Sequence, residues 1–303
     1  MSTVLVVGEA LVDIVERAGE PARSHPGGSP ANVALGLARL GRDVELVTWL
    51  GADENGELVR AHLAASGVRI AAGSIGAERT STALATIGDD GAASYTFDLT
   101  VDYPEVEIAD DVVAVHVGSI GATLAPGAQR VDGVVAAARD RATITYDPNL
   151  RPSIMGEADG VRPRIEALVA ASDVVKFSDE DLAFLYPGSD PREVARDWAA
   201  RGPGVVVVTL GAAGSFAVAA DGGEAEAPAP TVTVADTVGA GDSFMGGLID
   251  GLWSAGLLGA QHRPGLAALE PSALRVLLDA AARIAAITVS RPGADPPTRP
   301  ELA

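Results

Sequence analysis

Short apolar runs rich in β-branched residues recur along this chain. Each closes on glycine, aspartate or another polar residue: Thr3 to Val7, Val44 to Leu50, Val112 to Gly118, Thr143 to Tyr146, a run ending at Lys176, and Val205 to Leu210. Runs of this length and make-up predict buried strands. Stretches of helical period lie between them: Ser29 to Leu40, about Glu57 to Ser66, about Pro126 to Asp140, a helix capped by Ser178, and a long one from about Ser272 to Ser290. In the first of these, Ser29 reads as the N-cap and Pro30 as the first helical residue, with Gly41 ending it. Strands alternating with helices predict a mostly parallel, doubly wound α/β sheet with helices on both faces.

Residues 80–103 break the rhythm. Thr82 to Ile87 and Ala93 to Phe97 alternate like strands around Gly88-Asp89-Asp90-Gly91, a hairpin signal. With strand-like residues in about 10–27, they predict a small β lid laid over the main sheet. Residues 221–230 are acidic and Pro-rich and read as a surface loop. Thr231 to Ala235 reads as a strand, and Pro296 to Ala303 as a frayed tail. With no repeat or linker, 1–303 reads as a single domain.

Composition narrows the function classes. The 303 residues are 48% hydrophobic, ample for a core, and no run of 18 or more apolar residues predicts a membrane span. The N-terminus lacks a basic n-region and runs straight into a strand, so it does not read as a signal peptide, and the cytoplasm is the expected location. The absence of cysteine excludes disulfides, thiolate metal sites and a cysteine nucleophile. A net charge of −19 argues against nucleic acid as a partner. It also means that an anionic ligand needs local positive charge, a cation or amide dipoles. Of the 22 basic residues only Lys176 is lysine.

The candidate chemistry centres on Asp236-Thr237-Val238-Gly239-Ala240-Gly241-Asp242-Ser243-Phe244. The apolar positions Met245, Leu248, Ile249 and Leu252 then continue at helical spacing, so the stretch reads as a loop opening a helix. Helix N-terminal amides lack partners within the helix and favour negative charge. An ionised carboxylate beside such a cradle supplies a base for a hydroxyl proton and donors for developing charge. The bland alternative for a bare Gly-x-Gly-Asp is a capped helix start. No Gly-x-x-x-x-Gly-Lys phosphate loop and no Gly-x-Gly-x-x-Gly after a strand is present.

Taken together the nine residues resemble the C-terminal signature of the ribokinase (PfkB) family of carbohydrate kinases. Gly27-Gly28-Ser29-Pro30-Ala31-Asn32 and the small-residue helix after it resemble that family's N-terminal signature. The resemblance runs in order from Gly8 to Ala294 and implies a ribokinase-like fold with ATP and Mg2+ as cofactors. It implies Asp242 as catalytic base and Gly239, Ala240 and Gly241 as the anion hole. For the sugar it implies Asp13, Gly27, Gly28, Asn32, Phe97 and Arg151, with Asp242 at the reacting hydroxyl. For the nucleotide it implies Lys176, Ser178, Thr209, Gly211 and Gly214, with Gly239 and Gly241. Asp181 stands where the family has Glu, one methylene shorter, and so implies action on Mg2+ through water. Asp236 with Val238, Thr288 and Gly293 implies a monovalent cation site, K+ being the candidate. A homodimer through the β lid is the implied assembly.

The Asp147-Pro148-Asn149-Leu150-Arg151, His116-Val117-Gly118-Ser119 and Lys176-Phe177-Ser178-Asp179 runs lean towards the fructokinase-like branch, with 2-keto-3-deoxygluconate and ribose as the next substrates. Read without the resemblance, Arg151 could instead be structural, paired with Asp147. A non-catalytic sugar or nucleotide sensor on the same fold is the competing class. Its mark would be loss of the base or of the loop glycines, and both are present.

Overall fold

The computed structural model describes residues 2–17, 19–87 and 93–303; the hairpin tip at Gly88 to Gly91 lies outside them, as do the side chains of 93 and 94. In chain order the strands are β1 (Thr3–Val7), β2 (Leu11–Arg17), β3 (Arg23–Gly27), β4 (Val44–Val47), β5 (Leu50–Gly51), β6 (Arg69–Ile70), β7 (Ile75–Ala77), β8 (Thr82–Ile87) and β9 (Ala93–Asp98). They continue with β10 (Val112–Gly118), β11 (Thr143–Asp147), β12 (Val174–Ser178), β13 (Val205–Thr209), β14 (Ser215–Ala219) and β15 (Glu224–Ala227). Among the described residues, nine strands form one sheet in the order β15-β14-β13-β12-β11-β10-β1-β4-β6.

From β13 to β6 every pairing is parallel, so each of those strands delivers its C-terminal residue to the same edge of the sheet. The chain first builds outward from β1 through β4 to β6, then returns to the other side of β1 at β10. That reversal makes the C-terminal ends of β1 and β10 a topological switch point, where open α/β sheets bind ligands.

Both faces of the sheet are buried. Val4, Val6, Val174, Val205 and Val207 pack on one face with Val33, Leu37, Leu248, Ile249 and Leu278, from the helices Ser29–Arg39, Ala240–Ser254 and Pro271–Val289. Leu5, Val115, Ile144, Val175, Phe177 and Val208 pack on the other with Val131, Ile165 and Trp198, from the helices Gly127–Ala138, Ala158–Ala171 and Pro191–Ala199. The alternation of faces along runs such as Val205–Val208 is why they carry apolar residues at every position.

The lid is a second sheet, β3-β2-β8-β9. Its register pairs Asp13 with His25 and with Ala83, and Ala83 with Phe97. Directly opposed residues share a face of a sheet, so His25, Asp13, Ala83 and Phe97 form one row across one face.

Four expectations change. Thr231 to Ala235 is not a strand; it has no ladder partner, Val234 is exposed, and its hold on the fold is Ala235 N–H and Asp236 N–H donating to the Val289 carbonyl. The acidic 221–230 segment contains β15, which pairs antiparallel with β14 and extends the sheet. The C-terminal tail is tethered: Arg299 donates to the Leu40 carbonyl and pairs with Asp250, and Thr298 and Glu301 cap a short 3-10 helix, Arg299–Leu302. Ser29 is the first helical residue and Gly28 the N-cap. Among the described residues no helix is long and apolar enough to cross a membrane.

Candidate active site

The helix Ala240–Ser254 starts at Gly239, whose φ of 75° is left-handed. A side chain there would suffer both backbone strain and contact with Ala294, whose Cβ would lie 2.6 Å from an added Cβ. The glycine therefore lets the loop close tightly onto the C-terminal segment and present the first turn's amides at the sheet edge. The first amide bonded in helical fashion to this start is that of Ser243, which donates to the Gly239 carbonyl at 2.9 Å.

Asp242, in that first turn, is 7% exposed. Ser29 Oγ donates to its Oδ1 at 2.7 Å, and Asn32 Nδ2 donates to its Oδ2 at 2.8 Å. Ser29 and Asn32 are one helical turn apart on the Ser29–Arg39 helix and so share a face. The two signatures, more than 200 residues apart in sequence, meet at this one carboxylate. Each carboxylate oxygen keeps a lone pair for a further donor, so the group can still accept a hydroxyl proton.

Asp13 lies on the lid strand β2, within electrostatic reach of Arg151. A Cβ on Gly27 would collide with its Oδ2, so that glycine is what lets the carboxylate lie across β3. Burial raises the Asp13 carboxyl above its usual range, opposed by electrostatic attraction to neighbouring His25 and Arg151. Arg151 itself donates to Asn149 Oδ1 at 2.8 Å and to the Leu150 carbonyl. It does not pair with Asp147, which is held by Lys176 instead. Phe97 stacks on Tyr95 at 6.1 Å along the lid.

Lys176 is buried, with Nζ donating to Asp147 Oδ2 at 2.8 Å. A Cβ added to Gly241 would lie 2.9 Å from that Nζ, so the ammonium packs directly beneath the helix start. Burial pushes Asp147 up to about 6, opposed by Lys176. Burial acts to lower Lys176, but Asp147, with the charges of Asp181 and Asp242, holds the ammonium above its ordinary value. His116, one row back on the sheet, is driven down to about 3 by burial and by Lys176 and is neutral.

Ser178 and Asp181 form a capping box on the helix Asp179–Leu185. Asp181 Oδ2 accepts from Ser178 N–H and Oγ, and its Oδ1 accepts from Leu150 N–H at 2.7 Å. Both oxygens thus serve the fold, fixing the Asn149–Leu150 turn, which includes Asn149 at a φ of 40°. Among the described residues no cluster of three or more acidic or histidine side chains could hold a metal by itself. That suits a Mg2+ carried by nucleotide phosphates and waters, with protein carboxylates reached through those waters.

Thr209 and Gly211 lie at the end of β13 beside this edge, and a Cβ on Gly211 would meet open space. Gly214 has a structural task, since a Cβ there would strike the Ala227 carbonyl of β15. Asp236 accepts from Val238 N–H at 3.0 Å and Gly293 N–H at 2.9 Å, and these bonds hold its carboxyl below the usual range. Thr288, fully buried, donates to Ser243 Oγ. The four candidate cation residues therefore gather around the Gly239 turn.

Sequence reasoning missed two members of the site. Ser29 read as a cap, although its i,i+3 spacing to Asn32 was a signal that both serve one partner. Asp147 was read as a partner for Arg151, although its place beside Lys176 in adjacent parallel strands puts a buried cation next to it.

A buried carboxylate at a helix start, a glycine turn opening that helix and a lid bearing a second carboxylate suit a phosphotransferase for a small polyol on a doubly wound fold. The model of the pfkB family carbohydrate kinases matches residues 1–301, and the chain belongs to that family. It is 33% identical over 285 residues to a fructokinase of Rhizobium leguminosarum bv. trifolii, covering 90% of this chain and 85% of that one. The fructokinase of Xylella fastidiosa with bound ATP superposes with a TM-score of 0.81 at 26% identity, covering 96% of this chain and 93% of that one. A double mutant of the Vibrio cholerae O395 fructokinase, in its fructose-, ADP- and potassium-bound form, gives 0.75 at 26% identity, covering 97% and 94%.

Proposed function

We propose that this kinase transfers the γ-phosphoryl group of ATP to a hydroxyl of fructose. The observation that carries the reading is the buried Asp242, held on both oxygens by Ser29 and Asn32 at the mouth of the Gly239 helix start. The fructokinases among the relatives, and the fructose, ADP and potassium bound to one of them, support the choice of sugar, nucleotide and cation. Asp13, with Asn32, Arg151 and the lid residue Phe97, orients the sugar so that one hydroxyl reaches Asp242.

Asp242 accepts the hydroxyl proton as the sugar oxygen bonds to the γ-phosphorus. The bond from that phosphorus to the β,γ-bridging oxygen breaks, and ADP leaves with the electron pair. The amides of Gly239 to Asp242 donate to the phosphoryl oxygens, where charge is densest in transfer. Mg2+ bound with the nucleotide would supply neutralisation of the phosphate charge. Asp181 would reach it through water, since both of its oxygens already hold the fold. Thr209 and Gly211 border the nucleotide. Asp236, with backbone oxygens near Val238, Thr288 and Gly293, would hold K+ against the same turn. The lid closes over the sugar to exclude water as a competing acceptor, and a homodimer through that lid is part of the proposal.

The test is ADP release measured over fructose, ribose, 2-keto-3-deoxygluconate and nucleosides, with KCl or with choline chloride. The reading predicts the highest kcat/KM on fructose and a gain with K+. Turnover confined to another sugar would reassign the substrate, and none on any sugar would return the sensor.

A further inference from the structure

The chain's single lysine is buried under the anion-binding turn, and nothing in packing alone explains a charge there. Lys176 bonds Asp147 from β11, and the charges of Asp181 from the helix Asp179–Leu185 and Asp242 from the helix Ala240–Ser254 also act on it. His116 from β10, the other titratable group acting with it on that face, is neutral. Three acids therefore share one ammonium before any nucleotide arrives. A phosphoryl group brought to this turn adds further negative charge, and the electrostatics of transfer require a fixed positive counterpart.

Geometry fixes where that charge sits. Asp147 ends β11 and Lys176 lies mid-strand in the adjacent parallel β12, and the 2.8 Å bond between them leaves the ammonium two further donors. Its Nζ lies against Gly241, inside the turn whose amides face the ligand. A bulkier residue at 241 would meet it, and a neutral residue at 176 would leave Asp147 buried without a counter-charge. Asp147 Oδ1 is already buried with no hydrogen-bond partner.

We infer that Asp147 and Lys176 form a positioning pair, in which Asp147 pins the Lys176 ammonium beneath the anion hole so that a full positive charge backs the amides of Gly239 to Asp242 during phosphoryl transfer. The inference rests on the kinase reading above. It assigns the pair to transfer rather than to sugar binding. Lys176 acts through the turn and its neighbouring carboxylates, and Asp147 acts through Lys176.

The test compares Lys176→Met, Lys176→Arg and Asp147→Asn with wild type in ADP release with fructose and MgATP. Sugar KM, the pH profile of kcat and the melting temperature are recorded for each. Lys176→Met should lose about 10²-fold in kcat, with sugar KM within threefold, and the acid limb of its kcat profile should move to higher pH, because nearby carboxylates lose a cation. Lys176→Arg, which keeps the charge, should recover at least tenfold of that loss. Asp147→Asn should lose about tenfold in kcat at unchanged sugar KM. A folded Lys176→Met with kcat within threefold of wild type and an unmoved profile overturns the inference. So does a loss that appears only in melting temperature. Should Lys176→Met not fold, Asp147→Asn decides by the same criteria. Wild-type protein without turnover on any sugar would sink the kinase reading instead, so the two failures are distinct.

Discussion

At the scale of single residues, the site is a set of side chains whose freedom has been removed by neighbours. Ser29 and Asn32 hold the two oxygens of Asp242, so loss of one should misorient the base without deleting it. Ser29→Ala is expected to lower kcat about tenfold, the equivalent of one net hydrogen bond of roughly 1–1.5 kcal/mol. Steady-state kinetics at saturating sugar will measure it. Gly27 works by omission, because a methyl there meets Asp13 Oδ2. Gly27→Ala should raise the sugar KM at least tenfold while leaving the ATP KM within twofold. An unchanged sugar KM would mean that Asp13 does not face the substrate. The carboxylate of Asp242 was legible in the sequence because its loop chemistry is local: glycines, a helix start and an acid within four residues. Ser29 and Asp147 were not, because their roles exist only once distant strands and helices are brought together. Each had an ordinary local explanation, a cap for Ser29 and a pairing with Arg151 for Asp147.

At the scale of elements, what was legible followed from period. The parallel strands and their crossover helices announce themselves as apolar runs and helical stripes. The strand read at Thr231 to Ala235 failed because β-branched residues there alternate without a ladder to join. β15 was missed because Glu224 and Glu226 mask an edge strand whose only deeply buried residue is Ala227. The helix Ala158–Ala171 escaped because Pro163 and a weak apolar stripe hide it. The C-terminal tail contradicts expectation because Pro296 and Pro297 are buried against the body and Arg299 and Glu301 bind the rest through ions. Glu301 is drawn down to about 2 by bonds from Thr298 N–H and Oγ and from Arg291. Its folded pKa thus lies below its unfolded one, so its contribution is full above about 4.5 and fades as pH falls from there towards 2. Hydrogen exchange at residues 298–302 should accelerate over that window before the main sheet opens; exchange independent of pH-driven opening there would contradict the tether. In the second core, Trp198 packs edge-on against Phe177 at 4.6 Å. Trp198→Ala should cost about 3–5 kcal/mol in denaturant unfolding, since it empties the space between the helix Pro191–Ala199 and β12.

At the scale of the whole molecule, the fold puts seven parallel strand ends on one edge and hangs a lid above it, and the proposed chemistry draws on residues from 13 to 293 along the chain. In the proposed reaction an acidic protein handles an acidic nucleotide by concentrating amides and one buried ammonium at that edge while its surface repels. With a net charge of −19, the KM for ATP should fall as choline chloride rises from about 10 to 150 mM, because screening removes the long-range repulsion while the buried pair is little affected. A KM that rises with salt would mean that exposed arginines, Arg151 among them, dominate the encounter. The central claim is that the Asp242 carboxylate is the proton acceptor of phosphoryl transfer, and the most direct measurement is kcat of Asp242→Asn beside calorimetric fructose binding. The expected result is a fall of about 10²–10⁴-fold in kcat with fructose Kd within a few-fold of wild type. A variant that turns over at the wild-type rate would contradict it.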